Sequence, residues 1–171
     1  MATNGNSSAG RPAGKVTSEI LDRLPPHNLE AEQGVLGSVL LDQNMCDEVA
    51  LILRPEDFYA DANQKLFAHI VAMHDAGGRI DVTLLTERLK KEGDLEAIGG
   101  TTYLAEVLHA VPVPAHAVYY ARIVRDKAMA RDLIHASAEV LRDAYDPTVE
   151  PREMVSQAEE KVFAVRDRRS S

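Results

Sequence analysis

The chain is 171 residues long, 45% hydrophobic, with a formal net charge of −8, five Tyr, three Phe and no Trp. That length buries one ordinary core plus an appendage, which excludes two full domains. An acidic balance with few rings argues against a dedicated nucleic-acid surface, where a basic stripe and stacking aromatics are expected.

Residues 1 to about 17 are small, polar and broken by Gly and Pro. They cannot bury enough apolar surface to offset the entropy of ordering, so residues 1–24 are expected to be a disordered leader with one helical turn at Ser18 to Leu24. Gly10, Gly14 and Lys15 are the nearest approach to a phosphate-binding loop. The spacing is too short, Val16 stands where a hydroxyl is needed, and no strand precedes them, so no nucleotide site is expected.

Pro25-Pro26 closes the leader, and Asn28 is a good N-cap for a helix from Leu29 to about Leu41. Glu30 and Glu32 sit in its first turn, where the helix dipole favours acid. Leu29, Val35, Leu36, Val39 and Leu40 are expected on its buried face. Gly34, Gly37 and Ser38 weaken a helix, and three of them together imply another helix crossing closely over this one. The apolar stretch from Gly34 to Leu41 falls far below the roughly 20 residues that span a bilayer. No membrane role is expected.

A short helix from Cys46 to Leu53 is expected to stop at Arg54-Pro55, because a residue before proline is pushed out of the helical region. Cys46 is the only cysteine, so no internal disulfide forms. With no signal peptide in view, a reducing, cytoplasmic setting is expected. Asp61 and Gln64 have capping-box spacing, opening a helix that buries Leu66, Phe67, Ile70, Val71 and Met73 before Gly77-Gly78 ends it. Asp81 caps the next helix, Val82 to Glu92, with Leu84, Leu85 and Leu89 inside and Gly93 as its stop. After Gly99-Gly100 a helix from Thr101 to Val111 carries Tyr103, Leu104, Val107 and Leu108. No period-two pattern bounded by turn residues is present, so the fold class is all-α.

Charge divides the chain. Residues 25–113 hold 6 basic and 15 acidic side chains, net −9, whereas residues 114–168 hold 9 and 10. From Pro114 no Gly or Pro recurs until Pro147, which licenses a helix of up to about 32 residues, roughly 48 Å long. Pro151 then opens a second helix reaching about Arg168, so the two return on each other as an antiparallel hairpin. On the first, Ile123, Leu133, Ile134, Val140 and Leu141 spread over more than one face. On the second, Val155, Ala158, Val162 and Val165 share one. One stripe of the long helix meets the returning helix, and the other lacks an internal partner. Such a stripe points to self-association, and Ile123, Leu133, Leu141, Val155 and Val162 are its candidates. The alternative is that it packs back on the globular part.

Catalytic chemistry is thin. His27, His69, His74, His109, His116 and His135 make no H-x-x-x-H or H-E-x-x-H pair, so no metal or catalytic site is expected. Ser38 and Thr83 have no triad context. The Arg166 to Arg169 end reads as a solvated approach to a linker.

Six blocks carry a family resemblance. They are PPHNLEAEQGVLGSVLLD (Pro25 to Asp42), PEDFY (Pro55 to Tyr59), Ile80-Asp81 with Leu85, IGGTTYLAEV (Ile98 to Val107), AVP (Ala110 to Pro112) and YYARIVRDKAMARDLI (Tyr119 to Ile134). In this order the chain resembles the amino-terminal part of the bacterial replicative DNA helicases of the DnaB type. The resemblance implies a six-helix globular subdomain over residues 25–113, a helical hairpin over 114–168, and at 169–171 the start of a linker to a RecA-like ATPase domain. ATP and Mg belong to that motor, and no cofactor is implied for these residues. It also implies pairing of hairpins into dimers, a trimer of dimers forming a collar on the hexameric ring, and docking of the C-terminal domain of a DnaG-type primase. Carried over by position, the primase contacts fall on Tyr103, Ile134 and Val140, residue types that anchor interfaces. DNA contact is expected to be weak at most. The alternatives are a collar that guides single-stranded DNA, against which the −9 segment counts, and a stand-alone primase-binding regulator.

Overall fold

The structure, a computed structural model, describes residues 19–20, 22–110 and 116–168. Among them are seven α-helices, a 3-10 turn and no strand. The helices are α1 (Leu29–Leu41), α2 (Met45–Ala50), α3 (Asp61–Asp75), α4 (Val82–Glu92), α5 (Gly100–His109), α6 (Ala117–Ala144) and α7 (Pro151–Asp167), with the 3-10 turn at Pro55–Asp57 between α2 and α3. The all-α fold is therefore as the sequence pattern implies. Five helices and the turn, six helical elements, make the globular part, and α6 with α7 makes the hairpin. Most of the expected leader over residues 1–24, Pro112 and Pro114, and the expected linker start at 169–171 lie outside the described residues.

Helix α1 is the centre. Asn28 caps it, its Oδ1 accepting the Ala31 N–H at 2.9 Å, and Val35, Leu36 and Val39 are fully buried. Leu29 is an exception to the expected face, at 44% exposure; it stands at the first helical position, ahead of the turn that enters the core. The crossing helix implied by Gly34 and Ser38 is α6. A Cβ at Gly34 would lie 2.8 Å from Cδ2 of Tyr120, and the buried Ser38 hydroxyl is satisfied within α1 by donating to the Gly34 carbonyl at 2.6 Å. Ala117, Ala121 and Val124 of α6 join the same core, small residues that let the two backbones approach.

The caps differ from expectation at one place. Helix α3 has Ala60 at its N-cap, with no side-chain bond of its own. Asp61 is already inside the helix, so the Asp61–Gln64 box does not form, and Gln64 Nε2 instead donates to the Phe58 carbonyl at 2.7 Å. The cap comes from α1. Glu32, only 1% exposed, accepts the N–H groups of Tyr59 and Ala60 at 2.9 and 3.2 Å and the Asn63 side-chain amide at 3.0 Å. A carboxylate aimed at a helix N-terminus is bound by both hydrogen bonds and the dipole. Glu32 thus serves a helix other than its own.

Helix α2 ends at Ala50, ahead of the expected Leu53, and its last turn tightens as the Ile52 and Leu53 N–H groups share the Val49 carbonyl, at 2.9 and 2.8 Å, before Arg54 turns extended ahead of Pro55. In α4, Asp81 caps as expected, accepting the Leu84 N–H at 2.8 Å, and Gly93 ends the helix at φ 77°, a conformation open to glycine. Leu85 and Leu89 are fully buried, whereas Leu84, one position off their face, is 47% exposed.

Helix α6 runs for 28 residues, about 42 Å. Its first half lies on the globular core through Ala117, Tyr120, Ala121, Ile123 and Val124, and its second half pairs with α7. There Lys161 bridges back to Asp143 at 2.5 Å and Glu139 at 3.5 Å. Hydrogen bonding to Asp143 holds its ammonium above the usual lysine range.

Candidate functional site

The hairpin turn is fixed by Asp146, whose Oδ1 accepts the Thr148 N–H at 2.9 Å and its hydroxyl at 2.6 Å, and this bonding holds the Asp146 carboxyl below the usual range. Pro151 then occupies the first helical position of α7, where its missing N–H is no loss. The returning helix leaves an apolar groove of about 550 Å³ along the hairpin, lined chiefly by Val140, Val155, Ala158, Val162, Phe163 and Arg166. Val155, Val162 and Phe163 remain 61%, 49% and 55% exposed. The Arg166 guanidinium lies 5.3 Å from the Phe163 ring centroid, a cation–π contact at the rim. Of the stripe expected on α7, Val165 is buried while Val155 and Val162 face the open groove.

A second concavity of about 370 Å³ opens where the hairpin meets the globular part, lined by Pro25, Phe58, Tyr59, Arg131, Ile134 and His135 among others. Ile134 belongs to this one and Val140 to the groove, so the two sit on different surfaces. On α6 the spacing of seven residues places Leu133 with Val140 and Ile134 with Leu141. Leu133 and Ile134 are each 46% exposed and Leu141 40%. Ile123 is half-buried against the globular core.

Tyr103 lies apart from both surfaces. It is half-buried on α5, its hydroxyl donating to the Asn63 side-chain carbonyl. Asn63 in turn donates to Glu32. Burial pushes the Tyr103 phenol above its usual range. A Cβ at Gly99 would lie 3.0 Å from the Cβ of Tyr103.

Sequence reasoning missed Glu32 and Asn63 as partners of Tyr103, and Arg131 as a tie between the two parts. Arg131 Nη1 and Nη2 each donate at 2.7 Å, one to the Pro26 carbonyl and one to the Asp57 carbonyl. The contacts join positions 31, 74 and 105 residues apart, and no local pattern encodes them.

The polar clusters are structural in character. His69 Nε2 meets Asp94 at 2.8 Å while Arg88 Nε donates to His69 Nδ1 at 3.1 Å, and the His69 bond holds the Asp94 carboxyl below the usual range. Burial pushes the Cys46 thiol up to about 11, which leaves it protonated and unreactive at neutral pH. Among the described residues no three His, Cys, Asp or Glu side chains are placed to hold a metal, and no helix is long and apolar enough to cross a membrane.

The described residues thus make a helical globular part continued by a hairpin with an open apolar groove. Residues 24–126 match the family described as the DnaB-like helicase N terminal domain, and the chain belongs to that family. It is 39% identical over 150 residues to the replicative DNA helicase DnaB of Geobacillus stearothermophilus, covering 88% of this chain and 33% of that protein. Over 156 residues it is 34% identical to the replicative DNA helicase DnaC of Bacillus subtilis, covering 91% and 34%. The chain spans about a third of the length of these curated relatives. The crystal structure of the N-terminal domain of DnaB helicase from Mycobacterium tuberculosis superposes with TM-score 0.76 at 35% identity, over 82% of this chain and 99% of that one. The fold is also that of a DnaB-like replicative helicase whose structure was described with its interactions with primase, at TM-score 0.68 and 21% identity, over 81% of this chain and 31% of that one.

Proposed function

We propose that this chain is the assembly and docking domain of an ATP-dependent replicative DNA helicase. In this reading residues 25–113 form a globular subdomain, residues 114–168 a pairing hairpin, and residues 169–171 lead toward the motor, which binds ATP and Mg. Hairpins of two chains close over each other's grooves, and three such pairs make a collar. The exposed groove of Val140, Val155, Ala158, Val162 and Phe163 carries the proposal. Side chains of this size left half-exposed in one contiguous strip are the mark of an interface rather than of a finished surface. A primase C-terminal domain docks on the same collar, with Tyr103 and Ile134, which lie outside the groove, as contacts; Val140 lines the groove that the partner hairpin covers and so falls to the pairing surface. Support for that partner is the relative described with primase.

Light scattering across a concentration series tests the assembly. The parent chain is expected to form a dimer or larger species that Val155→Asp with Val162→Asp reduces to monomer. A parent chain that stays monomeric at every concentration, with and without primase C-terminal domain, sinks the reading. Calorimetric titration of that domain into Ile134→Ala and Tyr103→Ala is expected to show weakened binding, and unchanged affinity with intact helicity removes those residues from the contact.

A further inference from the structure

Where the hairpin leaves the globular part, one turn past Ala128, α6 carries Arg131. Its two terminal nitrogens donate to the carbonyls of Pro26 and Asp57, both at 2.7 Å. The first lies on the segment approaching α1, the second at the end of the 3-10 turn. The same guanidinium lies 5.5 Å from the Tyr59 ring centroid, and His27 stacks on that ring at 4.3 Å with the planes 13° apart. His27 also meets the Pro25 carbonyl at 2.7 Å. One side chain therefore ties three chain segments together at the point where the hairpin turns away from the core.

We propose that Arg131 is a latch that fixes the angle between the hairpin and the globular part, and is thus a positioning residue for whatever surface the hairpin presents. The helix–helix contact with the core, through Ala117, Tyr120, Ala121, Ile123 and Val124, lies on the N-terminal side of Arg131, and the two carbonyl bonds of Arg131 add a directional tie beyond it. A guanidinium fork has fixed geometry, so two divergent carbonyl bonds set direction as well as distance. Lysine retains the charge and loses that geometry. The distal arm from Arg131 to Ala144 amplifies any change: 13 residues make a lever of ~20 Å, so a rotation of ~15° carries the tip by ~5 Å. The inference concerns a single chain and does not rest on the assembly proposed above.

Distance measurement between spin labels tests it. Labels attach at Leu84→Cys on α4 and Tyr145→Cys at the hairpin end, both exposed, while the fully buried Cys46 stays unlabelled. Labelled protein is diluted into unlabelled protein so that only distances within one chain are read. The parent is expected to give one narrow distribution, and Arg131→Lys and Arg131→Ala a broader one with its mean moved by several ångströms. Should Arg131→Ala lose its helical signal, Arg131→Lys decides. A distribution for Arg131→Lys that superimposes on the parent overturns the latch.

Discussion

In the globular part Val35, Leu36, Phe58, Phe67 and Leu89 are fully buried, while in the distal hairpin Leu133, Ile134, Leu141, Val155, Val162 and Phe163 keep 40–61% of their surface exposed. Both regions are built from amphipathic helices. The difference lies in how many neighbours the chain supplies. Around α1, elements approach from several sides, so an apolar residue on almost any face finds a partner. Along the distal half of α6 the chain supplies α7, and two helices cover one strip of each other. What remains open is an apolar strip that the chain itself does not cover.

Core truncation separates the regions most sharply. Phe67 packs against Phe58 with ring centroids 4.9 Å apart, and Phe67→Ala is expected to lower the unfolding free energy by ~3–5 kcal/mol. Val162→Ala is expected to stay within ~0.5 kcal/mol in a monomeric chain at low concentration. Urea titrations of the two variants measure the contrast, and comparable losses would mean that the distal hairpin is as well buried as the core.

The seam between the regions comes next in size. Gly34→Ala drives a Cβ against the Tyr120 ring and is expected to destabilise by ~1–3 kcal/mol. Combining it with Tyr120→Ala removes the clash, so the double variant is expected to lose less than the sum of the single losses. Strict additivity in the urea midpoints would show that α6 does not press on α1 there.

The smallest effect is alkaline. Lys161 is held protonated above its usual value by Asp143, and Tyr103 is held neutral above its own by burial. Both groups bind their proton more tightly folded than unfolded. Their contributions are therefore complete below the unfolded values, ~10 for Tyr and ~10.4 for Lys, and are lost as pH rises through the folded ones. Thermal melts at rising pH are expected to show this decline, with Lys161→Met removing only the hairpin's share. Because Lys161 is solvated, that share is small and shrinks with salt. A decline in Lys161→Met identical to the parent's assigns it to Tyr103 and the globular part.

How much was legible in advance follows the range of the interactions. Asn28, Asp81 and Gly93 mark helix ends through bonds to residues a turn away, Pro151 through its fixed φ and missing N–H, and each stands where local chemistry puts it. Gly34 and Ser38 announced a crossing without naming α6. The candidate surface was half legible: apolar residues on the hairpin could be seen, but not that Ile134 and Val140 would line separate concavities. Glu32 reads as an ordinary first-turn acid, and nothing local tells that it caps α3.

The sequence by itself determined the all-α class, most helix limits, the antiparallel hairpin and the family, because helix periodicity, caps and breakers act over a few residues and ordered motifs persist in the chain. Tertiary structure alone decided that Glu32, Asn63 and Tyr103 form one network, that Arg131 ties the hairpin to Pro26 and Asp57, and which apolar side chains stay open. Those outcomes depend on where distant segments meet in space, and a one-dimensional pattern holds no distance between them.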